Sequence, residues 1–433
     1  MCIRDSYKTG PENFVASVAP RGPESRESRS VLAIVAPGQG AQTPGFLAPW
    51  LAEGRVADRL NWLSTVAGID LAHYGTQADA ETIRDTAVAQ PLLVAAGLVA
   101  ALELFPSPAD AVRRVGVAAG HSVGEITAAA GTGVLSAEQA MVLVRERGNQ
   151  MAAASAARPT SMMAVIGGDA TEVLAAIEAA GLTPANNNGS GQVVAAGTVE
   201  QLAEFAANPP AKARLIQLSV AGAFHTVHME PAVAHLARLS RAITTHDPRT
   251  RLLSNADGSV VQSGADYLAR LVKQVANPVR WDLCMQTMAD LGVTGLLELP
   301  PSGTLTGIAK RNLKGVELFS LNTPDQIPAA REFVVKHGEP GSTSAMGTTP
   351  AWMLVVAPGK GTFHRAPNAD IGTVLAPDSV IGTVDTLRNS TTVTTPHGGT
   401  IVEWLAEEGD PVAPGQPLVR LYPAADNIGG TAS

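Results

Sequence analysis

Gly120-His121-Ser122-Val123-Gly124 fits G-x-S-x-G. A strand-like run, VGVAA, enters it and an alanine-rich segment leaves it. In that setting the two glycines let the chain turn sharply and lift a serine hydroxyl above a strand end. The Val123 amide then faces any oxyanion formed there, helped by the start of the next helix. The bland alternative is a serine that caps the helix. A nucleophilic hydroxyl needs a base. His225 follows the strand-like ARLIQLSV and precedes a helix, so it lies near a strand end too. His228 is close by. A metal site built from His225, His228 and Glu230 would lack a further histidine or cysteine, so no metal is expected.

Arg147 is informative through its place on a helix. Ala140, Leu143, Val144, Arg147 and Met151 share one stripe at helical spacing, and Arg145 points elsewhere. A guanidinium on an apolar stripe needs an anion. Two partners fit: a buried Asp or Glu of the chain itself, or the carboxylate of a substrate held in a bidentate clamp.

These residues need a scaffold. VLAIVA (31–36) is a continuous apolar run that stops at Pro37-Gly38-Gln39-Gly40, as a buried parallel strand ending in a loop does. A helical pattern runs from about Gln90 to Leu104. Ser136 and Gln139 form a capping box for the helix that carries Arg147. Residues 161–220 alternate as βαββαβ, a ferredoxin-like arrangement inserted in a larger α/β unit. Helices near 229–243 and 264–275 and a strand-like GLLELP complete that unit. Residues 335–350 are a linker by composition. Beyond them the chain is short strands punctuated by Gly and Pro. PGKGT (358–362) resembles PHGGT (396–400), and GTVLAP (372–377) resembles GDPVAP (409–414). Two such halves predict a small β-sandwich with internal pseudo-symmetry.

Composition sets outer limits. At 433 residues, 45% hydrophobic and 16% charged, the chain should fold as two or three globular domains. A net charge of −8 without a basic block argues against nucleic acid as the main partner. The two cysteines, Cys2 and Cys284, fit no metal or disulfide framework. The apolar runs read as too short to span a membrane, so no membrane role is expected. Residues 1–30 are polar and lack an apolar signal core, so they are expected to be disordered or foreign. The expected compartment is the cytoplasm.

Together these stretches resemble the malonyl-CoA:acyl carrier protein transacylases of fatty acid synthesis and the related acyltransferase domains of polyketide synthases. The match runs from about Val31 to Phe333. Its marks are PGQGAQ (37–42), QP (90–91), GHSVGE (120–125), RERGNQM (145–151), NNNGSGQVVAAG (186–197), AFHTVHM (223–229), QVANPVRW (274–281) and ELPPSGTLTGIAKR (298–311). The resemblance implies an α/β-hydrolase-like core with a ferredoxin-like insertion over residues 31–334. It implies Ser122 as nucleophile and His225 as base, with the main-chain carbonyl of Gln274 orienting that histidine. The amides of Gln39 and Val123 become the oxyanion hole. Arg147 becomes the partner of the malonyl carboxylate, with Gln39 and His121 also facing substrate. The implied partners are malonyl-CoA and an acidic acyl carrier protein. Lys310, Arg311 and Lys314, with Lys273 and Arg280, are candidate docking residues; the alternative is plain surface charge. No cofactor is implied.

Residues 351–423 resemble the biotinyl/lipoyl attachment domain, and residues 424–433 are a tail. Where that family carries Glu-Ala-Met-Lys-Met, this chain has Asp385, Thr386, Leu387, Arg388 and Asn389. A guanidinium is a poor nucleophile, so biotin or lipoate is not expected on Arg388, and the domain reads as a docking or spacing module for an unidentified partner. The reading that results is an [acyl-carrier-protein] S-malonyltransferase. Its rivals are an acyltransferase for another polyketide extender unit, a scaffold acting through the C-terminal domain, and an esterase-type hydrolase.

Overall fold

The computed structural model describes residues 30–338, 353–395 and 398–423. The expected N-terminal extension, most of the linker and the C-terminal tail lie outside them. The chain divides into two compact units, residues 1–345 and 346–433.

The first unit is a mixed α/β fold around a six-stranded sheet. Its order is Glu317–Ser320, Gly295–Glu298, Leu32–Ala36, Val115–Gly120, Arg251–Leu253, Val260–Val261. All neighbours are parallel except the last pair. Both faces of the first strand are covered, which is why VLAIVA shows no alternation. Leu32 and Ala36 join one cluster with the helices Thr86–Leu104 and Ala137–Ala156. Ala33 and Val35 join another with Trp281, Met285 and Leu305. The strand order reverses at Leu32–Ala36, the kind of place where open α/β sheets form a ligand crevice.

Helix Thr86–Leu104 departs from expectation twice. It starts before Gln90, because Asp85 caps it by accepting from the Ala87 amide; Pro91 lies inside the helix, where its ring removes one backbone donor. Its 19 residues are also long and apolar enough to cross a membrane, contrary to the expectation. Most of the helix is buried inside the unit, which is the physical reason for its apolar character.

Residues 160–217 form the insertion. Strands Thr160–Gly167, Thr183–Asn187, Gln192–Thr198 and Ala213–Gln217 alternate with helices Ala170–Ala179 and Val199–Ala207 in the βαββαβ order. The last strand stops at Gln217, short of the expected Val220. Strand Val279–Arg280 adds to the edge beside Thr183–Asn187, a contribution from distant sequence that local pattern does not reveal. The final helix, Ile327–His337, takes Val335, Lys336 and His337 out of the expected linker; Val334 and His337 are buried.

The second unit is all-β. Its strands fall into two sets of four: Met353–Val356, Gly361–Arg365, Val374–Leu375 and Val380–Asp385, then Ser390–Thr394, Gly399–Trp404, Pro411–Val412 and Pro417–Pro423. Each of its two four-stranded sheets takes the first and third strands of one set and the second and fourth of the other. The sequence repeat is therefore a repeat of topology. Phe363, Ile381, Val384, Val393, Ile401 and Leu418 fill the space between the halves.

Candidate active site

Strands Leu32–Ala36 and Val115–Gly120 run in register, Ala36 opposite Gly120. Their C-terminal loops therefore emerge side by side, and the His121 amide donates to the Ala36 carbonyl at 3.0 Å. The glycines of the motif are steric necessities. A Cβ on Gly120 would lie 1.9 Å from the backbone of Gly124, and one on Gly124 2.2 Å from the Ala36 carbonyl oxygen. Ser122 sits between them at φ 53°, a left-handed conformation that costs an ordinary residue about 1–2 kcal/mol. Three bonds hold it there. Its N–H donates to Asn255 Oδ1 (2.8 Å), and its carbonyl accepts from Gln274 Nε2 (3.1 Å) and the Glu125 amide (3.0 Å).

Ser122 Oγ lies 2.8 Å from His225 Nε2, and His225 Nδ1 lies 2.8 Å from the Gln274 carbonyl. A carbonyl only accepts, so Nδ1 carries the proton and Nε2 is free to take one from the serine. His225 is itself left-handed, at φ 62°, with its amide bonded to the Val275 carbonyl. Burial, reinforced by the nearby Arg147 charge, pushes its pKa down to about 3. The base is neutral at physiological pH. His228 is half-buried and its backbone, not its ring, is what Thr226 holds. Among the described residues no cluster fit to bind a metal is present.

Arg147 is 3% exposed. Its Nη1 donates to Gln90 Oε1 (2.7 Å), and its Nη2 to Gln274 Oε1 (2.9 Å) and Ser122 Oγ (3.3 Å). None of these partners is a carboxylate, so the buried ion pair weighed from sequence is not formed by direct contact. Burial lowers the guanidinium pKa to about 10, which leaves it charged.

The Gln39 and Val123 amides donate no hydrogen bond among the described residues; Val123 follows Ser122 in the chain, and the Gln39 loop lies against His121, where a Cβ on Gly38 would stand 2.8 Å from the His121 carbonyl oxygen. Gln39 is pinned through its side chain, which donates to the Arg84 carbonyl at 3.1 Å. The His121 ring is held by two contacts: its Nε2 meets Asn188 Oδ1 at 3.0 Å, and it packs edge-on against Trp281. Burial pushes its pKa to about 4. These contacts tie the nucleophile loop to the insertion and to helix Trp281–Asp290.

Four residues of the site had no role assigned from sequence. Gln90 and Glu125 lie inside motifs already noted, QP and GHSVGE. Tyr267 and Asn255 lie in none. Asn255 donates to the Gly120 carbonyl and accepts from Ser122, so it pins the elbow from the turn after strand Arg251–Leu253.

The basic candidates divide. Lys273, Lys310 and Lys314 are exposed. Arg311 donates to Gln192 at 2.6 Å, and Ser190 bonds Asn312, so helix Thr304–Asn312 grips the turn of the insertion. Arg280 is paired with Asp282 at 2.7 Å and stays partly exposed.

The family described as acyl transferase domain matches residues 34–332. The malonyl CoA-acyl carrier protein transacylase of Mycobacterium tuberculosis is 50% identical over 294 residues, 68% of this chain and 97% of that protein. A crystal structure from the same organism superposes with TM-score 0.67 at 49% identity, covering 70% of this chain and 99% of that one. A malonyl-transacylase solved in complex with its type II polyketide synthase acyl carrier protein matches at TM-score 0.64 and 31% identity, covering 70% and 99%.

Proposed function

The chain belongs to the acyl transferase family, and on that premise we propose that it moves the malonyl group of malonyl-CoA to the phosphopantetheine thiol of an acyl carrier protein, in fatty acid synthesis. Arg147 carries the reading. A buried, charged guanidinium stands 3.3 Å from the nucleophilic oxygen with only neutral hydrogen-bond partners. An acyl group that brings its own carboxylate completes it.

The steps follow from the geometry. His225 takes the Ser122 proton at Nε2, and the alkoxide attacks the thioester carbonyl. The oxyanion meets the Gln39 and Val123 amides. CoA leaves with the proton, and a malonyl-Ser122 ester remains. The carrier thiol reverses the sequence, a ping-pong scheme. Neither metal nor redox cofactor enters these steps, and the reaction belongs in the cytoplasm. Lys310, Arg311 and Lys314 are the docking surface offered to the carrier.

The second unit is read as a biotinyl/lipoyl-like fold without its attachment lysine. Its support is the two interlocked halves and the place of Arg388, in the turn between Val380–Asp385 and Ser390–Thr394. Leu387 beside it is fully exposed.

Intact-mass analysis tests the catalytic reading. Malonyl-CoA should add one malonyl group to the full chain, and Ser122→Ala should abolish the adduct. An adduct that survives in that variant would mean another nucleophile.

A further inference from the structure

Glu125 is 2% exposed and makes no contact with the acyl-bearing atoms in the scheme above, yet it is wired to them. Its Oε2 accepts from Gln274 Nε2 at 2.6 Å, and its Oε1 from the Asn255 amide at 2.7 Å. Tyr267 approaches Oε1 at 3.4 Å. The Gln274 amide is thus a bridge: its Nε2 serves Glu125 while its Oε1 accepts from Arg147 at 2.9 Å. The other titratable groups around this carboxylate are out of play. Burial holds the Tyr267 hydroxyl and the Cys284 thiol protonated, and holds His225 and His121 neutral. Arg147 and Glu125 are therefore the two groups here whose charges can answer each other.

We propose that Glu125 is a positioning residue that supplies the counter-charge to Arg147 in the free site, through Gln274, and takes up a proton from solvent when the acyl carboxylate arrives. The inference rests on the malonyl-transfer reading. The charge balance requires it. A lone buried cation favours the ionised carboxylate. Once a second carboxylate meets the same guanidinium, two anions face one cation in a water-poor site, and the one that lacks direct contact with the cation, Glu125 behind Gln274, is neutralised. Arg147 stays protonated and the acyl carboxylate stays ionised. The thioester is exchanged for an ester, the Ser122 proton leaves on the CoA thiol, and one proton from solvent bonds to the Glu125 carboxylate. Burial already raises the Glu125 pKa to about 7, within reach of such a switch.

The full chain is mixed with malonyl-CoA at pH 8 in weak buffer with a pH indicator, and the adduct is counted by mass in the same sample. After correction for the thiol proton of free CoA, about one proton should be taken up per malonyl-Ser122. Glu125→Asp should keep the uptake and Glu125→Gln should lose it. In the wild type the malonyl-CoA KM should fall about tenfold from pH 8 to pH 6 with kcat little changed, and Glu125→Gln should be flat. Adduct without proton uptake overturns the inference; absence of adduct overturns the transfer reading beneath it. Should Glu125→Gln fail to fold, infrared difference spectra of wild-type chain labelled with ¹³C-glutamate decide alone. A protonated side-chain band should appear on malonylation, and its absence counts against Glu125.

Discussion

At the scale of single residues, the site is a contest between burial and charge. Burial keeps the His225 imidazole neutral, with a pKa near 3, so it remains a base well into acid. The acid limb of kcat/KM for malonylation should therefore lie far below 6.5, and a limb at 6.5 would mean that the imidazole is solvated in solution. The same shift bears on stability. A histidine whose folded pKa is depressed stabilises the fold above its unfolded value of about 6.5 and loses that contribution as pH falls toward the folded one. Since His225 and His121 are both depressed, thermal midpoints should drop steadily from pH 6.5 toward pH 4. Arg147 acts differently, because its charge persists. Arg147→Ala should weaken malonyl transfer by about 30-fold or more, the cost of losing a charge-assisted pair in a desolvated site, about 2–5 kcal/mol. Acetyl transfer should suffer less. An unchanged malonyl-to-acetyl ratio would return Arg147 to a structural role.

At the scale of elements, the decisive contact is the strand-turn-helix passage from Val115–Gly120 into Gly124–Gly131. The helix start presses against the first strand so closely that a Cβ on Gly124 would meet the Ala36 carbonyl at 2.2 Å, backbone against backbone. Gly124→Ala should cost about 3 kcal/mol or more or prevent folding, whereas an alanine at Gly131, where nothing lies within 4 Å, should be tolerated. Chemical denaturation of the two variants checks this. Such local devices were legible in the sequence. The G-x-S-x-G turn, the Ser136–Gln139 capping box, the Arg147 stripe and the βαββαβ insertion all rest on short-range spacing. What was not legible comes from elsewhere in the chain. Asn255 reaches Ser122 from the turn after strand Arg251–Leu253, Val279–Arg280 extends the insertion sheet, and His121 bonds Asn188. Pairings across long sequence separation leave no periodic trace, and a buried asparagine or glutamate looks like any surface one until its neighbours are known. The apolar helix Thr86–Leu104 shows the converse, since its composition alone does not distinguish a core helix from a membrane span.

At the scale of the whole molecule, the question is what the second unit adds. Every residue placed in the chemistry lies between Gln39 and Gln274, inside the first unit. That unit has its own sheet and its own clusters of buried side chains, and the second has another. A chain ended after Phe333 would be a poor test, because it cuts helix Ile327–His337 and discards the buried Val334 and His337. Ending after Gly338 keeps the helix and its last backbone bond, from the Gly338 amide to the Val334 carbonyl. That truncated protein should fold and should malonylate Ser122 at close to the full-length rate. If it folds and transfer still collapses, the second unit takes part in the reaction. For the second unit itself, the turn that presents Arg388 offers a guanidinium, a poor nucleophile toward activated acids. Full-length protein recovered from cells with active biotin and lipoyl ligases should thus show the unmodified mass over this unit. The absent amine leaves the turn as a surface, with Leu387 fully exposed at its tip and Asp385 tied to Ser390 at its base. Biotin or lipoate found on any residue of the unit would make it a carrier and overturn the reading of the turn as a bare surface.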